Sequence, residues 1–112
     1  QFTYNILDRE AEQHLLPLAA ERGVAVIINR PFRRGGLFDH VRDKPLPTWA
    51  GELDCANWAQ FFLKFIVSHP AVTVAIPATT RVDHMRENMG AGFGRLPEPA
   101  MRQRMIRHME AF

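Results

Sequence analysis

A single cysteine, Cys55, stands in 112 residues, so no internal disulfide can form and nothing calls for an oxidising compartment. No apolar run approaches the ~20 residues needed to span a bilayer. The first residues also lack the basic-then-apolar pattern of a secretory leader, and a cytoplasmic protein is expected. Neither sign of charge dominates: 14 Lys and Arg face 12 Asp and Glu, a net +2 despite a sequence pI near 9.2. Acidic residues accompany the basic ones through most of the chain, and no basic face interleaved with aromatics emerges, which argues against a nucleic-acid partner. Five histidines, His14, His40, His69, His84 and His108, show no metal-ligand spacing and read as surface or helix-end residues. Cys55 beside Asp54 invites a nucleophile reading, but free cysteine is among the most buried residue types, and a packing role is the plainer expectation.

What is present is ordinary for an ordered globular chain: 46% hydrophobic and 23% charged residues, enough for one domain covering residues 1–112. The chain starts at Gln1 in an alternating segment and reads as a piece of something longer. Gln1 to Asn5 carries a strand signal with Phe2 and Tyr4. Asp8 is placed to cap a helix with Ala11, Leu15, Leu18 and Ala19 on its apolar face, interrupted at Pro17 and ended by Gly23. Val24 to Ile28 is continuously apolar, the pattern of a strand covered on both faces. Arg30 to Asp54 has little periodicity and reads as a long loop. Ala56 to Ser68 is the most apolar helix, its Trp58, Phe61, Phe62, Phe65 and Ile66 destined for the core. A third strand, Ala71 to Ile76, follows; then come a helix from Arg81 to about Gly90 and a last one from about Glu98 to Glu110, with Met101, Met105, Ile106 and Met109 on one face. Strands alternating with helices predict an α/β fold with parallel pairing through right-handed crossovers.

The stretch from Ile76 to Asn88 carries the clearest chemistry. It leads from a strand end directly into a helix start, where unpartnered N–H groups and the helix dipole favour an anion. Thr79 and Thr80 can cap and donate hydroxyls, and Arg81 adds a full charge. The plainer reading is a capped surface helix with a solvated arginine. A second concentration of positive charge, Arg30, Arg33 and Arg34 with Gly35 and Gly36, follows the second strand.

Taken together these segments resemble the C-terminal portion of an aldo/keto reductase. The likeness rests on Gln1 to Asn5 as sixth barrel strand, Val24 to Arg34 with Gly35-Gly36-Leu37-Phe38 as seventh strand and loop, Trp58-Ala59 and Phe62-Leu63 in the seventh helix, and Ile76 to Asn88 as eighth strand and cofactor helix. The resemblance implies an α/β fold, about strands 6 to 8 of a (β/α)8 TIM barrel with their helices. It implies NADPH as cofactor, with Gln1 toward the nicotinamide carboxamide, Arg30, Pro31 and Phe32 with Arg33 or Arg34 on the pyrophosphate, and Thr79, Thr80, Arg81, Glu87 and Asn88 on the adenosine 2′-phosphate and adenine. Phosphate sites after strands seven and eight are also what barrel physics favours. Many members stack a tyrosine on the nicotinamide at the seventh strand end; here Asn29 or Arg30 stands there, with Phe32 the nearest replacement. A basic residue is frequent at the position of Ala78 or of His84, so a preference for NADPH over NADH rests mainly on Arg81. The family's catalytic Asp, Tyr, Lys and His come from its first four strands. Among the residues here none is expected to be catalytic, Tyr4 included, and none to bind metal.

Two functions follow as expectations. In the first, the whole enzyme transfers a hydride from NADPH to a small carbonyl substrate, an aldehyde or ketone, and this part holds the cofactor's phosphates and adenine. In the second, the chain is a catalytically inert half-barrel or binding module; if it is complete, its open strand edges predict self-association.

Overall fold

The computed structural model describes residues 1–77 and 81–112. Three short strands, β1 (Phe2–Thr3), β2 (Ile27–Asn29) and β3 (Val74–Ala75), lie side by side in sequence order, all parallel. Phe2 stands opposite Ile28, and Ile27 opposite Val74. Among the described residues five α-helices accompany them: α1 (Leu15–Arg22), α2 (Gly36–His40), α3 (Trp58–Val67), α4 (Val82–Met89) and α5 (Pro99–Glu110).

Strand alternation decides where the core sits. Tyr4, Val26 and Ile28 are fully or almost fully buried and join Phe61, Phe62, Phe65, Met105 and Met109 in one cluster. The opposite face is bare: Ile27, Val74 and Ile76 are 38%, 45% and 47% exposed. The expectation that Val24 to Ile28 is covered on both faces is therefore corrected; the described residues supply helices to one face only, and Val24 is exposed as well.

Three local expectations also shift. Asp8 does not cap a helix: a 3-10 turn at Glu10–Glu12 comes first, and α1 starts at Leu15 with Pro17 in its first turn, where its missing N–H costs nothing. That start rotates the apolar face, so Leu16 is buried while Leu15 and Leu18 are exposed. The segment from Arg30 to Asp54 is no plain loop, since it contains α2 and a 3-10 turn at Thr48–Leu53. In α3, the Asn57 side chain accepts from Gln60 N at 2.9 Å, starting the helix two residues later than the apolar run does.

Two buried cations fasten α3 to its surroundings. Lys64 is fully buried and donates to the carbonyls of Leu53, Phe93 and Arg95 at 2.5, 2.8 and 2.9 Å. Arg102 of α5 donates to Phe65 O, to Ser68 Oγ at 2.6 Å and to Tyr4 Oη at 2.8 Å, with its guanidinium 4.1 Å from the Phe65 ring. Tyr4 in turn donates to Glu12 Oε1. Burial, followed by that bond to Glu12, raises the Tyr4 pKa above the ordinary phenol range.

Asp54 sits in a left-handed conformation, φ 53°, and accepts from the backbone and guanidinium of Arg95. The Arg95 side-chain bonds, then its backbone N–H, hold the Asp54 carboxyl at about 2, below the ordinary 3.8. A depressed folded-state pKa adds stability that is present above the ordinary value and lost as pH falls through the folded one. Asp54→Asn, which keeps a residue tolerant of positive φ, is expected to lower the thermal midpoint at neutral pH. The difference from the parent chain should close as pH falls from about 4 to about 2, measured by circular dichroism melts across that range.

Candidate functional site

At the C-terminal ends of β2 and β3 the chain opens into a cleft of about 650 Å³. Arg30, Pro31 and Phe32, straight after β2, form its floor with Arg34 and Gly35. One wall comes from α4 through His84, Glu87 and Asn88, and the other from Phe38 of α2 and Asn57, Trp58 and Ala59 at the start of α3. Ile76 and Pro77, after β3, close the corner.

The floor is held in an uncommon conformation. Arg30, Arg33 and Arg34 have φ of 49°, 55° and 55°, a region costing a non-glycine residue on the order of 1 kcal/mol or more, and Gly35 follows at 87°. Such residues persist only where their surroundings over-determine them. Here Arg33 N donates to Arg30 O at 3.1 Å, Gly35 N to Phe32 O at 3.0 Å, and Gly36 N to Arg33 O at 3.0 Å. Asn5, fully buried, ties the loop to β1: its Nδ2 donates to Arg30 O at 3.0 Å and to Asp8 Oδ2 at 2.9 Å, while its Oδ1 accepts from Leu7 N and Asp8 N. Asp8 also pairs with Arg33 Nε at 3.2 Å.

The opposite wall is fixed by Gln60 of α3, whose Nε2 donates to Glu87 O at 3.0 Å. Gly90 makes that approach possible, since a Cβ there would collide with the Gln60 amide. The segment after α4 is pinned by Lys64 through Phe93 O and Arg95 O.

Of the residues nominated from the sequence, the structure brings Arg30, Pro31, Phe32, Glu87 and Asn88 to one cleft. Arg33 is not among the residues lining it; it borders a neighbouring cavity of about 390 Å³ with Thr3, Asp8, Glu10, Arg30 and Arg34. Gln1 is exposed at the start of β1 and lines neither cavity. Arg81 is the residue before α4 and gives a two-pronged pair to Asp83, at 3.1 and 2.8 Å, whose carboxyl it holds below the usual range; it does not line the cleft. Thr79 and Thr80 lie outside the described residues.

Sequence reasoning missed Phe38, Asn57, Trp58 and His84. Trp58 belongs to the core by its apolar pattern, and its ring does stack on Phe62 at 5.5 Å, yet it also borders the cleft. His84 had a signal: it precedes Glu87 and Asn88 by three and four residues, so all three share one helix face. Cys55 is half-buried and its thiol pKa is raised by burial, the reverse of an activated nucleophile. Among the described residues no three metal-ligating side chains cluster.

Cationic groups at a strand-end floor, opposite an apolar and aromatic wall, suit a ligand that combines phosphate with a flat ring. The comparisons agree with that frame. Residues 1–104 match the aldo/keto reductase family. A thermostable aldo-keto reductase solved with the inhibitor epalrestat is similar in structure, with a TM-score of 0.67 at 24% identity, covering 97% of this chain and 37% of its own. An aldo-keto reductase of Bacillus halodurans is similar in its holo form (TM-score 0.66, 22% identity) and its apo form (0.69, 23%), each covering 96% of this chain. The chain spans only 37% to 41% of the length of these solved proteins, which share its fold. No curated protein matches it.

Asn5→Ala should show how far the anion floor depends on β1. Losing a buried amide with these partners is expected to cost about 2 kcal/mol in urea unfolding. Native-state hydrogen exchange should accelerate at the amides of Arg33, Gly35 and Gly36 well beyond that global loss.

Proposed function

The chain belongs to the aldo/keto reductase family and has the fold of the C-terminal part of its barrel; from that premise we propose that it is the cofactor-binding part of an oxidoreductase that transfers a hydride between NADPH and the carbonyl of a small aldehyde or ketone. The observation that carries this is the convergence of Arg30 and Arg34 with His84, Glu87 and Asn88 across one cleft. The residues fit the group. Two guanidiniums on the floor match a pyrophosphate by charge and forked geometry. Asn88, almost buried on the α4 wall, offers an amide donor and acceptor to an adenine edge.

The dihydronicotinamide of the bound cofactor supplies the hydride. What these residues do is neutralise the phosphates, fix the adenosine end and thereby set the position of the reactive ring. Arg81, at the α4 start, is the residue proposed to favour a 2′-phosphate, with Thr79 and Thr80 beside it in sequence. Gln1 is proposed for the carboxamide end and Arg33 for the outer rim of the phosphate floor. The proton-transferring side chains belong to the remainder of the barrel. Tyr4 is a poor proton donor: it is fully buried, its hydroxyl is committed to Glu12 and Arg102, and its pKa is raised. No helix among the described residues is long and apolar enough to cross a membrane, and a cytoplasmic site of action is part of the proposal. Nucleic acid is no part of it.

A second reading, an inert self-associating module, is favoured by one observation, the bare sheet face with Ile27, Val74 and Ile76. It predicts a concentration-dependent mass in sedimentation equilibrium, and a constant monomer mass would remove it.

The first reading is tested by titrating the chain with NADPH and NADH while following tryptophan emission, because Trp58 borders the cleft. Saturable quenching is expected. Arg34→Ala should weaken both cofactors about tenfold or more, the value of a charge-assisted bond. Arg81→Ala should weaken NADPH more than NADH. Absence of saturable binding by the unsubstituted chain would overturn the reading.

A further inference from the structure

Three aromatic rings border the cleft, and they are not equivalent. Trp58 packs near-parallel to Phe62 at 5.5 Å and to His108 at 6.3 Å, each within about 25°, and edge-on pairs with Phe61 and Phe112 surround it. Its Nε1 donates to Lys44 O at 2.9 Å, which locks the ring further. Phe32 is packed against the core and lies 4.8 Å from Phe38. Phe38 differs: it is 38% exposed, and it forms a T-shaped pair with Phe62 at 5.7 Å.

Phe38 is also mechanically joined to the anion floor. α2 begins directly after Gly35, and Phe32 O accepts from both Gly35 N and Leu37 N, at 3.0 and 3.1 Å. Leu37, fully buried, anchors the helix to the core. Arg34 and Phe38 therefore sit on one hydrogen-bonded unit, a cation for phosphate and a ring set four residues further on.

Building on the cofactor reading above, we propose that Phe38 is the stacking partner of the adenine base, which enters between α2 and α4 with its polar edge toward Asn88. A phenyl ring exposed to the cleft and packed on two other rings is a hydrophobic platform for a flat π-system, and any stacked base excludes water from it. The α4 wall supplies hydrogen bonding through Asn88, and the floor supplies the charge, so the base, sugar and phosphate parts of one nucleotide meet three different surfaces. Phe38 is thereby a specificity-determining residue, since it selects a purine-bearing phosphate over a sugar phosphate alone.

The test uses the 112-residue chain with 5′-AMP, ribose 5-phosphate and nicotinamide mononucleotide, followed by calorimetry and by the NMR shifts of the base protons. For the unsubstituted chain, 5′-AMP is expected to bind more tightly than the other two, with adenine H2 and H8 moved upfield by the Phe38 ring current. Phe38→Leu keeps an apolar side chain in the α2 packing but removes the ring. It should weaken 5′-AMP about tenfold and abolish the upfield shift, leaving ribose 5-phosphate unchanged. Phe38→Tyr should restore both. The inference is overturned if Phe38→Leu leaves 5′-AMP binding intact or weakens all three ligands equally, or if nicotinamide mononucleotide alone shows the ring-current shift; ribose 5-phosphate binding would then still support the phosphate floor. Failure of the unsubstituted chain to bind any of the three would overturn the cofactor reading, and this inference with it.

Discussion

The ammonium of Lys64 is the point from which most of this architecture hangs. Burying a charge costs several kcal/mol even after relaxation, and the usual remedy is a carboxylate. Here the three N–H bonds go to three backbone carbonyls, from Leu53, Phe93 and Arg95. A cation satisfied in that way fixes the path of the chain in two places at once: the end of the 3-10 turn before α3, and the segment that follows α4. Arg102 fastens the end of α3 by other means, bonding Phe65 O and Ser68 Oγ, where the carbonyls lack intrahelical partners and a positive charge is favoured, while its second nitrogen reaches Tyr4 Oη and the Glu12 carboxylate. α3 is thus buried by its aromatics and placed by its cations. The cleft inherits that placement, because one wall is the start of α3 and the other is α4, held by Gln60 and by the pinned 93–95 segment.

How much of this could be read from residues varies with the signal each element carries. The apolar run around Phe61 to Ile66 is dense enough that helix and burial are unambiguous, and Gly23 marks a helix end in the left-handed conformation it takes, φ 65°. α1 shows the limit. Leu15, Leu16 and Leu18 are all apolar, and only the start point, set by a proline that belongs in a first turn, selects Leu16 for the core. α2 has five residues and begins at Gly36 after another glycine; a helix that short carries no periodicity and is held by Leu37 and the hydrogen bonds of the preceding turn. Lys64 and Arg102 are invisible to any reading of amphipathic faces, because each occupies a core position through bonds to distant groups, three carbonyls for Lys64 and Phe65 O, Tyr4 and Glu12 among those for Arg102. Val24 to Ile28 misleads in the other direction: an all-apolar strand implies two covered faces, and the second cover lies in no described residue.

The candidate site divides the same way. Arg30, Pro31 and Phe32 meet Glu87 and Asn88 in space because the first three follow a strand end and the last two share one helix face. Phe38 and Asn57 could not be placed without knowing that α2 and the start of α3 close over the same gap. Arg81 carries a full charge at a helix start. The structure sets the Asp83 carboxylate across its fork, and the arginines that line the cleft itself, Arg30 and Arg34, come from the loop after β2.

That loop shows how a binding surface is kept ready at a cost in stability. Three arginines at positive φ together cost on the order of 3 kcal/mol or more, a sum no chain of this size sustains without compensation. The compensation is local and polar. Asn5 uses both ends of its amide, Asp8 accepts from Asn5 and pairs with Arg33, and the turn closes its own carbonyls on Arg33, Gly35 and Gly36. A like-charged cluster with no anion bound would otherwise spread apart. Holding the backbone of Arg30 and Arg34 in place beforehand means that a phosphate arriving there has only their side chains left to order, and less of the binding free energy is consumed in doing so. The strain in the floor, the buried amide beneath it and the ring that follows on α2 are therefore parts of one preorganised unit, in which stability is surrendered at the arginines and recovered at Asn5.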